Sequence, residues 1–75
     1  MTRLGSLFGQ RVKIERKKRG ISQEALALRA GIDRSHMSRI ERGIVGVTLE
    51  KVYRIAIAID CEPADLLPPK NTPLD

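Results

Sequence analysis

The stretch that most constrains this chain is Ile21 to Gly43, ISQEALALRAGIDRSHMSRIERG, because its punctuation allows only one local geometry. Ser22 is placed to accept an orphan backbone N–H at a helix start, and Gln23 through Leu28 are good helix formers. Gly31 ends that helix, since glycine accepts the left-handed conformation that a helix C-terminus commonly requires. Asp33 caps a second helix, which runs to about Arg42 before Gly43 stops it. With about three residues between them, the two helices cannot fold back antiparallel; they cross steeply and pack through Ala27 and Ala30. The second helix then keeps an exposed face. Arg34, Ser35, His36, Ser38 and Arg39 are expected outward, Met37 and Ile40 inward.

This is the layout of a helix-turn-helix over about residues 22–42. The pattern Ser22-Gln23-Glu24, Leu26-Ala27, Ala30-Gly31, Ser38 and Ile40-Glu41-Arg42-Gly43 resembles the phage-repressor-like (Cro/C1-type, XRE) proteins, with weaker similarity from about Phe8 to Leu67. Within that family, Asp33-Arg34-Ser35 followed by Met37-Ser38 and Ile40-Glu41-Arg42 looks most like the small controller proteins of restriction-modification systems. The resemblance implies an all-α fold, a compact five-helix lambda-repressor-like DNA-binding domain. It also implies base contacts from Arg34, Ser35 and Arg39, a phosphate clamp from Gln23, and a partly buried ion pair between Arg16 and Glu41 that ties the first helix to the recognition helix. The region after Thr48 is where such proteins generally dimerise.

Charge points the same way. Residues 1–42 carry eleven Lys/Arg against four Asp/Glu, residues 43–75 three against five, so the net +5 is concentrated around the helix pair. A basic half built around an exposed helix is the footprint of a nucleic-acid binder. Phe8 and Tyr53 are the only aromatic residues, which leaves little for base stacking and favours duplex DNA over single strands or RNA. With one cysteine, Cys61, and one histidine, His36, neither a disulfide framework nor a zinc cluster is expected. No run of eighteen apolar residues and no signal-peptide core is present, so a cytoplasmic location and no membrane association are expected.

Taken in order, residues 1–5 read as a flexible N-terminal arm, followed by a domain over 6–67 and a disordered tail over 68–75. A first helix from about Ser6 to Lys18 places Leu7, Phe8, Val12 and Leu4 on one side, with Ile14 off that stripe. Arg11, Lys13, Arg16, Lys17, Lys18 and Arg19 cover much of the remainder, as a solvated face or as phosphate contacts. After a loop at Ile44-Val45-Gly46-Val47, Thr48 caps a helix from Leu49 to about Asp60. Its Ile55-Ala56-Ile57-Ala58-Ile59 run alternates like a strand, yet Leu49, Val52, Ala56 and Ile59 fit one helical face and a lone strand would lack a partner. Tyr53, Ile55 and Ile57 add apolar surface beyond what a small monomer needs to bury, and they are the expected dimer interface. Glu62 to Leu67 forms a last short helix with Pro63 early and Leu66 and Leu67 packed down, and Cys61 is a small buried hydrophobe.

The functional expectation is a homodimeric, sequence-specific regulator of transcription on a palindromic operator, in which one helix per protomer enters the major groove. Arg34 is the leading base reader, through guanine O6 and N7, against a phosphate contact as the alternative. Arg39 contacts base or backbone. Ser35 and Ser38 touch the groove or simply let the helix approach, and His36 makes a phosphate or base hydrogen bond. Two alternatives share the fold: an antitoxin of a toxin-antitoxin pair, and a protein-interaction module, although the latter has no use for Arg34 and Arg39. No catalytic dyad, metal-ligand spacing or phosphate-binding glycine loop is present, so no enzyme activity, cofactor, metal or small-molecule ligand is expected.

Overall fold

A computed structural model describes residues 3–74, and within them the chain forms five helices and no strand. They are α1 (Arg3–Lys18), α2 (Gln23–Ala30), α3 (Arg34–Arg42), α4 (Leu49–Ile59) and α5 (Pro63–Leu66). The caps are local chemistry. The Ser22 hydroxyl accepts the Ala25 N–H at 3.0 Å, and the Thr48 hydroxyl accepts the Lys51 N–H at 3.2 Å. Gly31 and Gly43 close α2 and α3 at φ 68° and 73°, conformations that a side chain would strain.

Helix α1 starts earlier than the sequence suggests. Arg3 to Gly5 belong to it rather than to an arm, while Met1 and Thr2 lie outside the described residues. Tertiary packing explains the extension: Ser6 lies against Gly43 at the end of α3, and Leu4 and Gly5 line an apolar groove with Val47, Leu67 and Pro68. One turn further on, α1 crosses α3 backbone to backbone. A β-carbon on Gly9 would stand 2.6 Å from the Glu41 carbonyl oxygen and closer still to that of Ile40.

The core lies between α1, α2 and α4 and is closed by Met37 and Ile40 of α3 and by Leu66 of α5. In α4, Val52, Ile55, Ala56 and Ile59 face inward at the i, i+3, i+4, i+7 spacing of a helix, which resolves the strand-like alternation. Two expectations for this helix change. Ile55 is fully buried, so it belongs to the core and not to a dimer interface, whereas Leu49 is 72% exposed. Leu49, Tyr53 and Ile57 thus make one row at four-residue spacing along the exposed edge of α4.

Leu67 is half-exposed on the groove instead of packed down, and Cys61 is only partly buried, with burial pushing its thiol up, away from the reactive thiolate. The stretch expected as a disordered tail carries a hydrogen-bonded turn, Thr72 N–H to the Pro69 carbonyl at 3.0 Å, and Asp75 lies outside the described residues.

Candidate nucleic-acid interface

Helix α3 is amphipathic in a way that leaves a polar face open. Met37, Ile40 and Glu41 are buried, and Arg34, Ser35, Arg39 and Arg42 are exposed, with Ser38 half-buried beside them. Arg34, Ser35 and Ser38 share a shallow depression with Gln23 at the start of α2 and Asp33 at the start of α3. The N-terminal halves of the two helices therefore meet at one surface. Arg42 occupies the same outward face as Ser35 and Arg39, a position that spacing from Asp33 identifies although the family motif does not mark it for contact.

The cap of α3 is built on one carboxylate oxygen. Asp33 Oδ2 accepts the Ser35 N–H at 3.0 Å, the His36 N–H at 3.4 Å and the Ser35 hydroxyl. The Ser35 hydroxyl, followed by the His36 amide, holds the Asp33 carboxyl below the usual aspartate range. A lowered folded-state pKa contributes stability above the ordinary aspartate pKa, and this is lost as pH falls through the lowered value. The cap is complete at neutral pH.

His36 does not share the outward face. It sits half-buried at the flank of α3, with Nε2 3.2 Å from the Lys51 Nζ of α4. An ammonium only donates, so in this contact the imidazole nitrogen is the acceptor. Its position is set by tethering α3 to α4, which no periodicity in α3 announces.

Behind the face, Arg16 and Glu41 form a two-pronged ion pair: Nε to Oε2 at 2.8 Å and Nη2 to Oε1 at 3.0 Å, with the side chains 10% and 3% exposed. Arg16 Nη1 also donates to the Ile21 carbonyl at 2.9 Å, so the pair joins α1, the start of the α2 turn and α3. Gln23 joins this network, its Nε2 donating to Glu41 Oε1 at 3.2 Å. One amide hydrogen is thereby used internally, which fixes the orientation of the carboxamide in the depression.

Beyond Arg3, the other cations of α1 and of the turn that follows it divide into two groups. Lys18 and Arg19 bind Glu15 at 3.4 and 2.7 Å, and Arg11 donates to the Leu67 carbonyl at 2.8 Å. Lys13 and Lys17 are exposed, carry no ion pair among the described residues, and lie one turn apart on the side of α1 that continues from Gly9 and Ser6, next to α3.

A family model described as "Helix-turn-helix" matches residues 12–66, most of the chain and the whole of the α2–α3 pair. This chain belongs to the helix-turn-helix family. The helix-turn-helix protein is similar to Control protein C.BamHI from Bacillus amyloliquefaciens, with 42% identity over 62 residues, covering 81% of this chain and 76% of that protein. It is also similar to the regulator SinR from Bacillus subtilis, with 32% identity over 66 residues and 60% of that protein covered. Among solved structures, the restriction-modification controller protein C.AhdI from Aeromonas hydrophila aligns with a TM-score of 0.80 and 42% identity over 83% of this chain and 94% of that one. The N-terminal DNA binding domain of SinR aligns with a TM-score of 0.78 and 31% identity over 88% and 97%. Among the described residues, no helix is long and apolar enough to cross a membrane.

Proposed function

We propose that this helix-turn-helix protein is a cytoplasmic, sequence-specific double-stranded DNA-binding regulator of transcription that acts as a homodimer on a palindromic operator and controls restriction-modification genes. The observation that carries the reading is the open face of α3. It presents Arg34, Ser35, Ser38, Arg39 and Arg42 together, while its acidic residue, Glu41, is turned inward and neutralised by Arg16. The likeness to two proteins named as controllers supports the regulated system.

In this reading Arg34 bonds guanine O6 and N7, Ser35 and Arg39 contact neighbouring bases, and Ser38 lets the helix seat in the groove. Gln23 faces a phosphate at the N-terminus of α2, where the helix dipole adds to its amide. Lys13 and Lys17 lie against the adjacent backbone. His36 acts indirectly, by fixing α3 against α4. One such helix spans too few base pairs for genomic selectivity, so two protomers bind half-sites about 34 to 36 Å apart on one face of the duplex.

The dimer contact is assigned to the Leu49, Tyr53 and Ile57 row, since Ile55 is occupied in the core. The double variant Tyr53→Asp, Ile57→Asp is expected to sediment as a folded monomer, to melt lower only by what dimerisation contributes, with a melting temperature that no longer rises with protein concentration, and to lose at least about tenfold in operator affinity. Titration of a selected duplex is expected to saturate at two wild-type protomers. Saturation at one protomer, or a double variant that remains dimeric, contradicts the assembly.

A further inference from the structure

A serine hydroxyl facing the major groove is ordinarily ambivalent, because it rotates and can donate to a base acceptor or accept from a base amine. Ser35 lacks that freedom. Its hydroxyl donates to Asp33 Oδ2, the oxygen that also takes the Ser35 and His36 amides, and an ionised carboxylate has no proton with which to reverse the bond. The lowered pKa of Asp33 keeps the carboxylate ionised at neutral pH. Ser35 and Asp33 are both exposed and line the same depression as Arg34, so a group seated on that surface can reach Ser35 Oγ while its proton is committed to Asp33.

We infer that Asp33 is a positioning residue for base readout, which makes Ser35 an acceptor-only contact selecting an exocyclic amine, adenine N6 or cytosine N4, on the strand it faces. The inference rests on the reading of α3 as the helix that enters the major groove. Guanine O6 and N7 and thymine O4 would meet a lone pair with a lone pair, and are rejected. Arg34 beside it has donors only and selects acceptors. Two successive residues at the start of α3 thus carry opposite halves of the major-groove code, and the residue that sets the second half lies outside the helix.

The test is selection from a randomised duplex pool by wild type, Ser35→Ala, Asp33→Gly and Asp33→Asn, with melting temperatures measured in parallel. Ser35→Ala defines the symmetric position that Ser35 faces. Wild type is expected to favour adenine or cytosine there by roughly fivefold, the value of one ordinary hydrogen bond. Asp33→Gly removes the acceptor while glycine remains a tolerable N-cap, so the freed hydroxyl is expected to admit guanine and thymine at that position alone. Asp33→Asn keeps an acceptor oxygen and is expected to restore the preference. A role confined to capping would instead lower affinity evenly across all positions, and that result overturns the inference. A wild-type preference for guanine or thymine at the Ser35 position also overturns it, with the DNA-reading account intact. Failure of wild type to select any palindrome removes the underlying reading itself.

Discussion

Gly9→Ala is expected to destabilise the fold by about 3 kcal/mol or more, at or beyond the upper end of the usual overpacking cost. The site is unusual because helix propensity alone predicts the opposite sign: alanine in a helix interior is better than glycine by about 1 kcal/mol. The added β-carbon would stand 2.6 Å from the Glu41 carbonyl oxygen, with the Ile40 carbonyl nearer. These are backbone atoms of α3 and cannot rotate aside. Accommodation requires α1 to lift away from α3, which also stretches the Arg16–Glu41 contact about two turns further along α1. Urea denaturation distinguishes the two signs directly, and an alanine variant as stable as wild type would mean that the α1–α3 approach is looser than described.

The second large effect belongs to the ion pair. Arg16→Met or Glu41→Met alone is expected to cost about 3 to 5 kcal/mol, because the remaining charge is left buried without its partner. A chain of 75 residues has roughly 4 to 11 kcal/mol of total stability at ordinary values per residue, so either variant approaches unfolding. The double variant Arg16→Met, Glu41→Met is expected to recover most of the loss, since paired removal of buried charges is often neutral. Gln23 then loses the Glu41 oxygen that orients its amide, so the double variant is expected to be folded yet weaker on DNA. Single losses that simply add in the double variant would show that the two charges do not depend on each other.

What could be read from the sequence was what local chemistry determines. Ser22, Gly31, Asp33, Gly43 and Thr48 punctuate the helices within a few residues of their effects, and all five act where the caps are observed. Relations across the fold were less visible. The Arg16–Glu41 pair spans 25 positions and was suggested only by resemblance. Gly9 carries no sequence signal for its role, because an isolated glycine in a helix reads as a weakness until the partner backbone is known. In α4, Leu49, Tyr53 and Ile57 border the buried stripe, and periodicity fixes the stripe's direction better than its edges; Leu49 and Ile55 exchanged roles for that reason. His36 is expected outward with its neighbours in α3, whereas the structure holds it at the flank, 3.2 Å from Lys51 of α4.

The central claim is that α3 reads bases, and one comparison tests it most directly: selection from a randomised duplex pool by wild type and Arg34→Ala, at two salt concentrations. The account predicts that wild type selects a palindrome containing guanine at a symmetric position, and that the variant loses about 1 to 3 kcal/mol of preference there with the other positions retained. Weak wild-type binding that selects no sequence and disappears with added salt would leave only phosphate attraction, and would contradict the claim.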